Sequence, residues 1–84
     1  MQEVKIHTPF IKLNQFLKWV RAAETGSMAN HMIQEGLVKV NDEVEMRRGR
    51  KIIPGDRIEV SGVGMYLVTE EGSAEVDPEG PVDA

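Results

Sequence analysis

The residues best suited to a chemical task in this 84-residue chain are those of Arg47-Arg48-Gly49-Arg50-Lys51, four positive charges within five positions. Arginine presents a planar set of donors that matches phosphate oxygens, and a glycine lets a phosphate backbone approach closely. The run therefore predicts contacts with nucleic-acid phosphates. Short basic runs also occur in surface loops that only keep a protein soluble, so the interpretation depends on the surrounding residues.

Further polar residues could extend this surface. Asn14, Lys18 and Arg21 follow the spacing i, i+4, i+7, which places them along one side of a helix that turns by about 100° per residue. Lys39 and Asn41 lie on a predicted strand and could join the surface if that strand faces the same way. An ordinary solvent-exposed position is the alternative for each of them.

The rings of His31 and Trp19 also allow two interpretations each, one as a nucleic-acid contact and one without such a role. His31 lies away from the apolar face of its predicted helix, where it could stack on a base or donate to a phosphate, or simply be a surface histidine. Trp19 lies off the apolar stripe of the first predicted helix. We expect it to pack under the N-terminal segment, with an exposed stacking platform as the alternative.

Catalysis finds little support in the sequence. His7 and His31 are the only histidines, there is no cysteine, and no nucleophile, zinc-protease, phosphate-loop or metal-ligand motif appears. Gly62-Val63-Gly64 is too short for a dinucleotide-binding loop. We therefore expect no enzymatic activity, cofactor, metal ion or small-molecule substrate.

The charge is divided unevenly along the chain. The net charge is −4, but residues 70–84 contain six acidic and no basic residues, so residues 1–69, with ten basic and eight acidic ones, carry +2. We expect one domain over 1–69 and a disordered tail over 70–84, because that tail has almost no apolar content. The tail could compete with RNA for the basic residues, or it could simply aid solubility.

The apolar periodicity predicts an α+β domain. Leu13, Phe16, Leu17 and Val20 repeat at helical spacing, with Asn14 as the expected N-cap or Thr8-Pro9 as an alternative start. A second helix is expected from an N-cap at Ser27 to about Glu35, ended by Gly36. From Leu37 the period changes to two, which predicts a small, mostly antiparallel sheet behind two packed helices. An edge strand or arm is expected over residues 1–8, ended by Pro9.

The chain shows no sign of a membrane or secretory segment. No run of about 18 apolar residues occurs, and the N-terminus lacks the apolar stretch of a signal peptide. Together with the absence of cysteine, this predicts a cytoplasmic location.

Three blocks of the sequence resemble the S4 domain, the RNA-binding module named after a small-subunit ribosomal protein. They are the opening helix at 13–18, the second helix with its strand at 29–41, and Ile53-Pro54-Gly55-Asp56-Arg57-Ile58-Glu59-Val60. Their order and spacing agree over roughly residues 11–60. The turn at 41–43, the run at 47–51 and the Gly62, Gly64, Tyr66 segment are most similar to the small stand-alone bacterial members.

The resemblance implies an αL-type fold that binds structured RNA, ribosomal or transfer RNA, across the two helices and the adjoining loop. The family's second helix is often basic where this chain has Ser27, Asn30 and Gln34, which shifts the expected phosphate contacts to residues 47–51. The expected role is thus a monomeric, non-catalytic RNA-binding protein, with a ribosomal subunit as one candidate partner. The alternative is an accessory module whose basic residues bind an acidic protein, and charge alone would also permit DNA. The predicted RNA contacts are Arg47, Arg48, Arg50, Lys51, Lys18, Arg21, Lys39, Asn41 and His31.

Overall fold

The computed structural model of the protein describes residues 1–70, which contain two short helices and seven strands. The helices are α1 (Leu13–Trp19) and α2 (Gly26–Gln34). The strands are β1 (Gln2–Ile6), β2 (Ile11–Lys12), β3 (Val38–Val40), β4 (Glu43–Val44), β5 (Lys51–Ile52), β6 (Arg57–Val60) and β7 (Gly64–Glu70). The predicted α+β class is confirmed. The tail predicted to be disordered falls, from residue 71 onward, outside the described residues.

Five of the strands form one sheet in the order β1-β7-β6-β3-β4, and β2 and β5 form a separate antiparallel pair. Within the larger sheet every neighbouring pair is antiparallel except β1 and β7, which run parallel. The mostly antiparallel prediction is therefore confirmed, and β1 is the edge strand expected at the N-terminus. β1 and β7 are the first and last strands of the described residues, so their pairing joins the two ends of the domain. The rest of the domain supplies the long connection that a parallel pair needs.

The core lies between the helices and one face of the large sheet. Phe16 of α1 is fully buried and meets the ring of Tyr66 edge to face, with the ring centres 5.8 Å apart. Alternation along the strands sends every second side chain into this core. It also sends Lys5 and Lys39 to the outer face of the sheet. The main core residues are Leu13, Phe16, Leu17, Ala29, Ile33, Val38, Val40, Ile58, Val60, Tyr66 and Val68.

The end of α1 differs from the sequence prediction. The helix stops at Trp19, and Arg21 follows in a left-handed conformation with φ of 65°. Arg21 is therefore not a third residue on one helical face with Asn14 and Lys18. The predicted stop after α2 is confirmed, since Gly36 has φ of +78°, a conformation that glycine adopts without strain. Within residues 1–70, no helix is long and apolar enough to cross a membrane.

The start of α2 lies two residues before the predicted one. Its N-cap is Thr25, whose hydroxyl accepts a hydrogen bond from the Met28 N–H at 3.0 Å, so the prediction of Ser27 was wrong. Ser27 lies inside the first turn. Either hydroxyl residue suits the role by type, and the extended backbone at Thr25 decides between them.

Replacing Thr25 by Ala should lower the free energy of unfolding by about 1 kcal/mol, the usual cost of losing a side-chain cap. Ser27→Ala is the matched control and should change it by less than about 0.5 kcal/mol, because it removes a hydroxyl from an exposed helical position. Urea unfolding of both variants measures the difference. Equal losses would contradict the assignment of the cap.

Candidate nucleic-acid interface

Residues 47–51, hereafter the basic loop, are joined by their main chain to the start of α1. The Leu13 N–H donates to the Arg50 carbonyl at 2.9 Å, and the Asn14 N–H donates to the Arg48 carbonyl at 3.0 Å. The cap position is Lys12, which makes no side-chain cap, so both predicted helix starts, Asn14 and Thr8-Pro9, were wrong. Main-chain carbonyls of a distant loop thus accept hydrogen bonds from the first two N–H groups of the helix, which have no partner within the helix itself. As a result, the cations of the loop lie beside α1.

A buried carboxylate organises this loop. Glu45 is only 7% exposed, and its oxygens accept hydrogen bonds from Arg47 Nε at 3.0 Å, Arg47 Nη2 at 3.2 Å and Arg50 Nη1 at 2.8 Å. The Arg47 main-chain N–H donates to the same carboxylate at 2.9 Å. The Arg47 side chain, assisted by Arg50, lowers the pKa of Glu45 to about 2 against the opposing effect of burial. The same pairing raises the pKa of Arg47.

The four cations of the basic loop therefore differ in how exposed they are and in whether they form an ion pair. Arg47 stays 77% exposed although it contacts Glu45, and a guanidinium has donors left over after such a contact. The Arg50 side chain is only 30% exposed and is the more structural of the two arginines. Arg48 and Lys51 are exposed and make no ion pair within residues 1–70. Sequence reasoning missed Glu45, although an acidic residue two positions before a basic run was a visible signal.

A groove separates the basic loop from α2. It has a volume of about 440 Å³ and is lined by Asn30 and Gln34 of α2 and by residues 46–49. Asn14 Nδ2 donates to Asn30 Oδ1 at 3.2 Å, which links the two helices at the edge of this loop groove. Amide side chains here face arginines, a combination suited to sugar hydroxyls and phosphates together. His31 is exposed one position further along α2, beside this wall.

A second group of cations lies on the other side of the start of α1. Lys12 and Lys51 are paired across the β2–β5 ladder, and Lys18 is exposed on α1. The ammonium of Lys51 lies 4.9 Å from the ring centre of Phe10, within cation–π distance. Lys12 was not among the residues predicted from the sequence. No helical or strand periodicity relates it to the basic loop, since only the β2–β5 pairing brings it there.

Three predicted contact residues are placed away from this surface or have another role. Lys39 lies on the outer face of the sheet, opposite Glu59 of β6. Arg21 lies beyond the C-terminal end of α1, while the basic loop adjoins its beginning. Asn41 has its amide engaged at both ends, donating to Asp56 Oδ1 at 3.0 Å and accepting from the Arg57 N–H at 2.9 Å. It holds a turn between strands.

The surface that remains combines exposed arginines and lysines with amide side chains on two helices and one pinned loop. Among the described residues, no group of three or more histidine, aspartate or glutamate side chains is arranged to hold a metal ion. Exposed cations beside neutral amide groups are residue types that suit contacts with nucleic-acid phosphates and sugars. The S4 domain family model matches residues 4–69, and the chain belongs to that family.

Two bacterial relatives extend the comparison. The Bacillus subtilis (strain 168) protein named "Probable ribosome maturation protein RlbA" is 43% identical over 65 residues, covering 77% of this chain and 92% of that protein. The Escherichia coli (strain K12) protein named "Putative RNA-binding protein YbcJ" is 35% identical over 60 residues, covering 71% of this chain and 86% of that protein. Both are therefore similar over nearly their whole length. The predicted resemblance to stand-alone bacterial S4-domain proteins is confirmed.

Proposed function

We propose that this protein binds structured RNA, with ribosomal RNA as the main target, and performs no chemical reaction on it. The observation that carries the proposal is the basic loop, held at the start of α1 by two main-chain hydrogen bonds and by the Glu45 carboxylate. Membership of the S4 family and the words RNA-binding and ribosome maturation in the names of its relatives support it. Transfer RNA is the second candidate target.

The loop favours recognition of phosphate positions over recognition of base sequence. Arg47 and Arg50 are restrained by Glu45 before any RNA arrives, so less side-chain freedom is lost when phosphates bind. Arg48 and Lys51 supply cations with no ion-pair partner to displace among the described residues. Asn30 and Gln34 add neutral donors and acceptors at the groove wall, suited to ribose hydroxyls. Binding of this kind depends on the shape of the folded RNA.

The experiment that tests the function is fluorescence anisotropy with a structured ribosomal RNA hairpin and a DNA duplex of matched length. Each is titrated at several salt concentrations. We expect tighter binding to RNA and an affinity that falls with salt, with a logarithmic slope of about −3.5 to −4.5 if five phosphates are neutralised.

Equal, weak binding of both nucleic acids, or an affinity that does not change with salt, would contradict the proposal. A pull-down at moderate salt would then test the alternative, in which the basic loop meets an acidic protein. A transfer RNA that binds more tightly than the hairpin would change the target and leave the mode of binding intact.

A further inference from the structure

A second groove lies along α1, and it shares no lining residue with the loop groove. It has a volume of about 530 Å³ and contains Phe10 and Trp19 above a floor of Ile6 and Ile11. Trp19 is 57% exposed and Phe10 is 36% exposed. The prediction that Trp19 packs under the N-terminal segment was therefore wrong for most of the ring, which stands beside that segment and faces solvent. We call this feature the aromatic groove.

The distribution of aromatic residues in the protein is uneven. The chain has two Phe, one Tyr and one Trp. Phe16 and Tyr66 pack against each other in the core, whereas Phe10 and Trp19 both line the aromatic groove and both remain accessible. Neither of these two exposed rings belongs to the hydrophobic core. Exposed rings that line one groove offer flat surfaces on which a nucleobase can stack.

The charges around the aromatic groove indicate which kind of ligand would bind there. Lys12 and Lys18 line it, and Lys51 lies over the Phe10 ring at 4.9 Å. None of the described residues that line the groove is acidic. Lysines around two aromatic rings suit a ligand with a flat apolar part and flanking negative charge, as a nucleotide has. An apolar protein segment would gain nothing from these cations.

The aromatic groove is continuous with the basic loop. Lys51 belongs to the loop and also contacts Phe10. A helix turns by about 100° per residue, so the order of side chains around α1 is Asn14, Lys18, Gln15 and Trp19. Asn14 contacts Asn30 at the loop groove, and the other three line the aromatic groove. One RNA strand that leaves the basic loop can therefore reach the rings.

We propose that the aromatic groove binds one unpaired nucleobase of the RNA, stacked on Trp19 and Phe10, with the adjacent phosphates on Lys12 and Lys18. This inference rests on the proposed function. It adds a preference for RNA that has an unpaired nucleotide beside its helix, which phosphate contacts alone do not provide. The base is held by its flat face, so the identity of the base matters little.

The test compares two RNA hairpins that differ at one position, an unpaired adenosine bulge in one and an abasic residue in the other. Trp19 is the only tryptophan, so its fluorescence reports on the groove alone. We expect the adenosine hairpin to quench Trp19 emission and to bind about tenfold more tightly than the abasic hairpin, the scale of one stacked base. Trp19→Leu and Phe10→Leu should each reduce that preference while keeping the salt slope.

Met65→Ala serves as the control, because it removes an exposed apolar side chain from the outer face of the sheet. It should keep both the quenching and the tenfold preference. Urea unfolding confirms that each variant is folded. If the wild type binds both hairpins equally and Trp19 emission does not change, the groove does not bind a base, although the RNA-binding function stands. Equal quenching by the abasic hairpin would likewise overturn base stacking. If neither hairpin binds, the proposed function itself fails.

Discussion

Replacing Arg48 and Lys51 together by Ala should weaken binding to a structured RNA hairpin by about tenfold to a hundredfold. Both side chains are exposed and outside the Glu45 cluster, so their removal takes two cations from the surface without disturbing the carboxylate. Charge-assisted hydrogen bonds to phosphate are worth roughly 1.5–3 kcal/mol each in a well-formed site, and exposure brings the sum down. The salt slope should become shallower by about 1 to 2 units as two phosphate contacts are lost.

The matched control is Lys5→Ala together with Lys39→Ala, which changes the net charge by the same amount. Both lysines are exposed on the large sheet, and neither belongs to the basic loop or lines the aromatic groove. We expect a loss of less than about threefold, since only the long-range field changes. Anisotropy titrations of the two double variants at several salt concentrations measure the difference. Equal losses from both would show that overall charge, rather than this surface, controls the affinity.

Glu45→Gln should lower the free energy of unfolding by about 1–2 kcal/mol at neutral pH. The substitution keeps the shape of the side chain but removes the charge, and its NH₂ group would face the arginines that now donate to Glu45. The estimate is at the low end for a charged hydrogen-bond cluster, because Arg47 is 77% exposed and solvent screens its share. Urea unfolding at pH 7 measures it.

The same carboxylate predicts how stability changes in acid. The pKa of Glu45 is about 2 in the folded protein and about 4.5 in its ordinary range, so the unfolded chain binds a proton more readily than the folded one. The contribution of Glu45 to stability is therefore fully present above pH 4.5 and is lost as pH falls through 2. The difference between the wild type and Glu45→Gln should accordingly shrink over that interval.

Glu43→Gln is the control for both measurements, because Glu43 lies two residues earlier on β4 and is exposed. It should change the unfolding free energy by less than about 0.5 kcal/mol at every pH. A loss from Glu43→Gln as large as that from Glu45→Gln would assign the effect to general charge balance. A constant difference between wild type and Glu45→Gln from pH 7 to pH 2 would contradict the lowered pKa.

Much of the fold was accessible from local patterns. The helical spacing of Leu13, Phe16 and Leu17 correctly identified the buried face of α1, because residues three and four apart share one side of a helix. Gly36 ended α2 as predicted. The two N-caps were wrong for different reasons. Thr25 and Ser27 are equally suitable by type, and at α1 the capping groups are carbonyls of residues 48 and 50, more than thirty positions away.

The candidate site shows the same division. Residue type alone identified Arg47, Arg48, Arg50 and Lys51 as a cationic run. Residue type could not tell which of these four side chains form ion pairs and which are unpaired. Arg50 pairs with Glu45 and Arg48 does not, because only the tertiary structure sets which side chains point toward the buried carboxylate. The structure places Lys39, a predicted contact residue, on the outer face of the sheet. The strand pattern tells which residues alternate but leaves open which face the RNA would meet.

The sequence by itself determined the class of the domain, its two helices, its mostly antiparallel sheet and the presence of a run of four cations within five residues. These depend on short-range periodicity and on the chemistry of single residue types. Only the tertiary structure decided that β1 pairs with β7, that the basic loop caps α1, and that Phe10 lines one groove with Trp19 and lies under the Lys51 ammonium. Each of these is a contact between segments that nothing in the local sequence relates. Such contacts are set by the packing of the whole domain, where hydrogen-bond partners and apolar surfaces are matched together.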